Sequence, residues 1–460
     1  MRTPFLLLFL CFSSVFAQQL PPAPRAHVSD VTPKAGYFNE PAIAVNLKDP
    51  QQLTVAWQVG ASAAYSKDGG QTWNVAEGTA PKDYRVSGDV SLAYDAAGHA
   101  VLCYIAFDKL GSTNYWAQGA TRNGIFIRRS LDGGRTWEND ARTVISHEST
   151  PGIPFEDKPW VVSDTSGPHA GNLYVGWTQF TLTASDLFFS RSTDGGITWS
   201  NPIKLNSVPG LPRDDNGALE GFHGVVGPDG TLYTIWDARE GIMMAVSHDG
   251  GASFSKDRLI IPAGPGYFGI TGVSRSNGFP QIGFDPHESA DKNESRTIGP
   301  QNAPRAGKPG GTLYVAWSDY SNGDVDVFVS SSTDRGKTWN PPVRVNTDPI
   351  HNGRDQFFQW MAIDPQNGAV NLIFYDRRID NQQTTVTLAR STDGGKTFQN
   401  YSWDPEVFTA EGDFLGDYLA ITAFGNKVFG AWAHQTSEES KTERGKKTRT
   451  VLRVGSADFN

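Results

Sequence analysis

One pattern governs the chain: Ser-x-Asp-x-Gly-x-Thr/Ser-Trp/Phe occurs six times. It begins as Ser66-Lys67-Asp68-Gly69-Gly70-Gln71-Thr72-Trp73. It returns at Ser130–Trp137, Ser192–Trp199, Ser247–Phe254, Ser332–Trp339 and Ser391–Phe398. The key aspartates are Asp68, Asp132, Asp194, Asp249, Asp334 and Asp393. They are separated by 64, 62, 55, 85 and 59 residues. An Asp side chain accepts bonds from nearby backbone N–H groups and fixes a turn. The glycine two places on can take positive φ. The closing aromatic supplies an apolar anchor. Each box therefore reads as a hairpin turn between the third and fourth strands of a repeated sheet. A catalytic role for all six is set aside, because a reactive group is needed once, not once per repeat.

Two further repeats run in phase with the boxes, and each occurs seven times. Second-strand segments are Leu53–Trp57, Val101–Ile105, Leu173–Trp177, Leu232–Trp236, Leu313–Trp317, Asn371–Tyr375 and Val428–Trp432. They are rich in β-branched and aromatic residues, as strands prefer. First-strand segments are Pro41–Asn46, Val90–Asp95, Pro159–Asp164, Phe222–Gly227, Pro280–Asp285, Gln359–Asp364 and Tyr418–Phe424. The pattern predicts an all-β propeller of seven blades, each of four antiparallel strands; six blades is the alternative. The seventh repeat has no box, but Thr450–Ala457 supplies a third strand. A strand near Val28–Val31 is expected to add the fourth and close the ring. His287–Gly311 reads as a surface insertion, and Ser437–Arg449 as a charged loop of blade seven.

Composition agrees with a folded chain of many short strands. Of 460 residues, 38% are hydrophobic and 19% charged, with 49 glycines and 13 tryptophans. The net charge of -9 comes with no dominant basic stretch, so nucleic acid is not an expected partner. Arg2, the apolar run Pro4–Phe16 and Ala17 read as a signal peptide cleaved after Ala17. This leaves residues 18–460 as one domain, secreted or periplasmic, with no membrane span expected. Cys11 leaves with the leader. Cys103, in an apolar strand, is read as packing.

The boxes resemble the Asp boxes of the sialidase superfamily and other BNR-repeat propellers, and the resemblance covers nearly the whole mature chain. It implies a glycoside hydrolase acting on a carbohydrate at one axial mouth, with an anionic sugar among the candidate substrates. The alternative is a non-catalytic propeller that binds carbohydrate or protein. The family uses three arginines on the substrate carboxylate, a Tyr nucleophile helped by a Glu, and an Asp acid/base. Its first arginine lies in a Phe/Tyr-Arg-Ile-Pro motif. Here the stretch is Phe38-Asn39-Glu40-Pro41, with Asn39 at the arginine's place.

An acid recurs just ahead of the first strands: Glu40, Asp89, Asp157, Glu220, Asp355 and Asp417, with Gly278 in blade five. Carboxylates converging on an axis repel unless paired, protonated or bound to a cation. Asp89, Asp157 and Glu220 are the candidate catalytic acids, with Tyr418 the candidate nucleophile. Candidate substrate-binding residues are Glu40, Arg213, Arg239, Arg354, Asp355, Asp376, Arg377 and Asp417. The arginines can hold a carboxylate with paired bonds. No paired-His metal spacing, phosphate loop or nucleophile elbow is present, so neither metal nor cofactor is expected.

Overall fold

The computed structural model describes residues 19–76, 79, 81–108, 122–148, 154–264, 266–287, 310–410, 414–442 and 445–460, without the side chains of 439–448. The leader (1–17) and most of the His287–Gly311 insertion lie outside them. All regular structure among the described residues is β, in seven four-stranded antiparallel sheets. Seven blades therefore stand and the six-blade alternative falls. No helix of the described residues is long and apolar enough to cross a membrane.

The inner strands are Ala42–Val45, Val86–Tyr94, Phe155–Ser163, Glu220–Val226, Gln281–Asp285, Gln356–Ile363 and Ala420–Phe424. The second strands are buried throughout, as at Leu313–Trp317, because neighbouring blades cover both their faces. The core thus lies between blades. Tyr174 and Phe189 of blade three, for example, pack in one cluster with Leu232 and Trp236 of blade four.

The ring closes as expected, through the two ends of the chain. His27–Asp30 pairs antiparallel with Gly445–Asp458, which pairs with Lys427–Thr442. One expectation fails. Ser437–Arg449 is not a loop, because the second and third strands of blade seven run on as a hairpin, with Glu439 opposite Thr448 and Thr442 opposite Gly445. Its charged sequence lacks the apolar alternation that marks a strand, and cross-strand backbone bonds need none.

Each box forms the predicted turn. Asp68 Oδ1 accepts from Ser66 Oγ (2.8 Å), Gln71 N (3.0 Å) and Thr72 N (2.9 Å), and Oδ2 accepts from Thr72 Oγ1 (2.5 Å). The box glycine has positive φ in all six, between 75° and 91°. It also abuts the preceding blade: a Cβ on Gly134 would lie 2.4 Å from Thr54 Oγ1, and one on Gly251 2.8 Å from Phe189. The boxes therefore seal blade against blade.

The bonds hold the carboxylates ionised. The Thr72 hydroxyl leads in lowering Asp68 to about 2. Against the cost of burial, the threonine hydroxyls and amides at 198 and 338 bring Asp194 and Asp334 to about 2. A depressed carboxylate stabilises the fold above its unfolded value near 4, and that contribution is lost as pH falls through about 2. Melting temperature should therefore drop steeply between pH 4 and pH 2. Asp68→Asn and Asp194→Asn together should flatten that slope, as scanning calorimetry would show.

Candidate active site

Four inner strands carry a β-bulge near the mouth where the chain enters them, at Gly88/Ser91, Asp157/Trp160, Glu220/His223 and Phe357/Trp360. The bulged residues Asp89, Lys158, Gly221 and Phe358 are left-handed (φ 46°, 51°, 68° and 54°), and Glu40 of blade one has φ 49°. Such a conformation costs a non-glycine residue about 1–2 kcal/mol, and strain of this kind collects at functional sites. The pairing resumes ahead of the bulges. The blade-two to blade-four acids therefore lie inside the inner strands, not ahead of them, and the bulges redirect side chains.

The result is a buried cluster. Glu40, Asp89, Asp157, Glu220 and Asp417 are each at most 8% exposed. Asp214, from the loop before blade four, joins them. The carboxyls act on one another through their charges: Asp89 on Asp157, Asp214 on Glu220, and Asp89 and Asp417 on Glu40. Burial, and then the charges of Asp89 and Asp214 respectively, push Asp157 and Glu220 well above the ordinary carboxylate range. Burial and then Asp89 do the same to Glu40. Asp417 goes the other way. Burial opposes its ionisation, but Arg275 and then Lys158 outweigh it and hold it low.

Tyr267 and Arg275 come from the segment 262–280 before blade five, which folds back on itself through Phe268 N to Ser276 O (3.0 Å) and a bridge from Tyr267 to Asn277. Tyr267 OH donates to Glu220 Oε2 at 2.5 Å and to Asp214. Arg275 grips Asp417 through Nε (2.8 Å) and Nη2, and reaches Asp214 through Nη1. Asn216 fixes the fold-back by bonding both Tyr267 N (2.8 Å) and Tyr267 O (3.1 Å).

Next to the cluster, aromatic rings from the inner strands pack together. Trp160 and Trp360, from blades three and six, meet with ring centres 4.9 Å apart. His223 and Tyr418 complete the set. Burial lowers His223 to about 3, so its imidazole is neutral. On the far side an axial cavity of about 680 Å³ runs between the inner strands to the opposite mouth.

The predicted residues divide accordingly. Glu40, Asp89, Asp157, Glu220 and Asp417 are brought together. Tyr418 is in the aromatic set, and its OH donates to Val90 O at 3.2 Å. Arg213 and Arg239 are exposed. Asp355 accepts from Val325 N (3.1 Å), and Arg354 N donates to Asn352 Oδ1 (2.7 Å). Asp376 is fully buried and bound by Arg378 Nε (2.6 Å) and Thr387 Oγ1 (2.7 Å). Arg377 donates to Thr384 Oγ1 (3.0 Å), Asn381 O (3.0 Å) and Thr271 O (2.6 Å), so it braces the segment that carries Arg275. Lys158, Asp214, Tyr267 and Arg275 were not singled out by the sequence. One arrangement offers cation ligands: Asp157, Asp214 and Glu220 place oxygens within 4.8 Å of one another.

Comparison with known proteins gives one family match and several remote likenesses. The BNR/Asp-box repeat family model matches residues 64–75. A xyloglucanase of a Paenibacillus species is 26% identical over 258 residues, which is 51% of this chain and 22% of that protein. A xyloglucanase of Acetivibrio thermocellus is 26% identical over 44% of this chain and 23% of its own length. The match thus spans less than a quarter of these relatives. Among solved structures, the Hadza microbial sialidase Hz136 is similar at 16% identity and TM-score 0.48, covering 89% of this chain and 73% of that one. A Penicillium chrysogenum alpha-L-arabinanase gives 15% and 0.42, covering 80% and 95%.

Proposed function

We propose that this BNR/Asp-box repeat protein is an exported glycoside hydrolase that uses the buried carboxyl cluster on a neutral glycan. The observation that carries the reading is the buried cluster of carboxyls, in which the Tyr267 hydroxyl meets Glu220 and Arg275 meets Asp417. Glycosidic cleavage needs one protonated carboxyl and one ionised one in the same site, with their environments pushing them apart. Glu220, oriented by the Tyr267 hydroxyl, is the proton donor to the departing sugar oxygen. Asp89, whose Oδ2 accepts the Lys158 amide (3.2 Å), is the carboxylate that assists attack at the anomeric carbon. Asp157, whose Oδ1 accepts the same amide (3.1 Å), is its neighbour. Water supplies the hydroxyl for the anomeric carbon, and its second proton restores the donor.

The resemblance would give a tyrosine the nucleophile's part. Tyr267, not Tyr418, is the tyrosine that meets a glutamate. Burial and then the flanking Asp214 and Glu220 push its hydroxyl well up, so it stays protonated and serves as a donor. Charge favours a neutral substrate. Six carboxyls of the cluster share two cations, Arg275 and Lys158. Arg213, Arg354 and Arg377 lie apart, and Asn39 spends its amide on Phe414 O (3.3 Å). Xyloglucan, after which the curated relatives are named, is neutral.

The aromatic set favours one second reading, a propeller that binds glycan without cleaving it. Incubation of the mature chain with xyloglucan, arabinan, aryl glycosides, sialosides and uronides separates the two. Cleavage of a neutral substrate, lost in Asp89→Asn, is expected. Cleavage confined to sialosides or uronides would remove the neutral-substrate reading. Glycan binding with no turnover would leave the binding module. Amino-terminal sequencing of the exported chain checks cleavage after Ala17.

A further inference from the structure

Beside the carboxyl cluster lies a second cavity, of about 290 Å³, between the connection that enters blade four and that blade's Arg239-Glu240 turn. The two share a wall. Leu219 lines the cavity, and the next residue, Glu220, belongs to the cluster. Glu220 is opposite Asp237 in the sheet, two residues before Arg239, so the turn stands at the cluster's end of blade four. Asp214 of the cluster comes from the same connection, which closes on itself through Leu211 N to Gly217 O at 2.7 Å.

The lining is apolar on one side and polar at the rim. Val208, Leu211, Trp236 and Met243 form the wall, with Val208 73% and Leu211 53% exposed. Arg239 and Glu240 stand exposed at the rim, and among the described residues neither side chain has a hydrogen bond or an ion pair. The other rim groups are committed: Asn206 Nδ2 donates to Asp186 (2.8 Å), and Asp257 accepts from Ser207 N (3.1 Å). One donor in the wall is unused as well. In blade three Trp177 Nε1 donates to Glu156 at 2.5 Å. In blade four Leu219 stands at the place of Glu156, and Trp236 Nε1 has no partner.

An apolar wall with a few free polar groups is how small-molecule pockets recognise their guests, and the volume is near the lower end of their usual range, about 300 Å³. There is room for one ring and not for a chain. A sugar ring matches it, with an apolar C–H face and hydroxyls that both donate and accept at its edge. The free rim charges, one of each sign, cancel, which suits an uncharged ring.

We infer that this cavity is a glycan subsite that holds one neutral sugar residue, with Arg239 and Glu240 on its hydroxyls and Val208 and Leu211 against its C–H face. That the residue belongs to a chain cleaved at the neighbouring cluster rests on the hydrolase reading; that the cavity binds a sugar does not.

The test is calorimetric titration of Asp89→Asn, in which chains stay whole, with xyloglucan and arabinan oligosaccharides of graded length. Affinity is expected to rise about tenfold or more at the length that reaches the cavity, the worth of a hydrogen bond to a charged group. On the same background the double variant Arg239→Ala/Glu240→Ala should lose that rise. Val208→Trp, which fills the cavity from an exposed position, should lose it too. The two alter different sides of the cavity, so either one, folded, decides. Variants that keep the full rise overturn the inference, and so does a parent whose affinity never rises with length or that binds none of these chains. A wild type that binds them and cleaves none defeats the hydrolase reading alone and leaves the length dependence to decide this one.

Discussion

Glu220→Gln is expected to lower kcat by about 10²- to 10⁴-fold, the usual contribution of a general acid, without lowering the melting temperature. Glu220 is 3% exposed, and burial leads in pushing its carboxyl up. The folded protein thus keeps a proton there to well above the value of about 4.3 at which the unfolded chain releases it. For a raised carboxyl the stability contributed is full below the unfolded value and is lost as pH rises through the folded value. Glutamine has no such loss. Its carbonyl still accepts from Tyr267 OH, and its amide can donate toward the neighbouring Asp214. The variant should therefore melt at the same temperature or higher at pH 7, and its melting should vary less between pH 5 and pH 8. Active sites commonly trade stability for function in this way. Kinetics and calorimetry on one sample decide the matter. Loss of both activity and stability would mark Glu220 as structural. Retention of kcat would remove it from the chemistry.

The blades were legible because their signals are local. A box is a closed set of bonds within eight residues, and a strand buried on both faces shows as an apolar run. The axial acids were legible because they recur in phase with those strands. Lys158 was hidden by the same regularity: Asp157 satisfied the pattern, and nothing marked the next residue as the one at the bulge apex. Asp214, Tyr267 and Arg275 come from connections between blades, where there is no repeat to be in phase with. The arginines expected as clamps failed for a different reason. Arg377 and Arg378 are adjacent, and only the backbone direction sends one to Thr271 and the other to Asp376. The hairpin of blade seven was missed because backbone bonds alone extend it.

Deleting residues 26–32 is expected to cause the largest loss of stability of any change outside the blade cores. The segment contributes the pairing of His27–Asp30 with Asp30 opposite Arg453 through His27 opposite Ser456. Val31 N then donates to Leu452 O at 2.8 Å, and the Thr32 hydroxyl accepts from Leu452 N at 3.1 Å. Val31 is 6% exposed and packs with Ile43, Leu53, Phe429 and Leu452, joining blades seven and one. Each lost backbone bond costs about 0.5–1.5 kcal/mol net, and burying a valine is worth about 1.5–3 kcal/mol. The total is several kcal/mol, a large share of what holds a domain together. The deletion also bares the third strand of blade seven as an unpaired edge, so aggregation should accompany the loss. Arg453 sharpens the test. Its guanidinium joins Asp30 (2.9 Å), Asp404 (3.1 Å) and Glu406 (2.7 Å), so the closing strand is tied to blade six as well. Asp30→Asn alone should therefore cost little, since Arg453 keeps two partners, whereas loss of the strand removes pairing, core and ion pair together. A deletion variant with the melting curve of the full chain would show that the ring is held by blade packing and not by its closing strand.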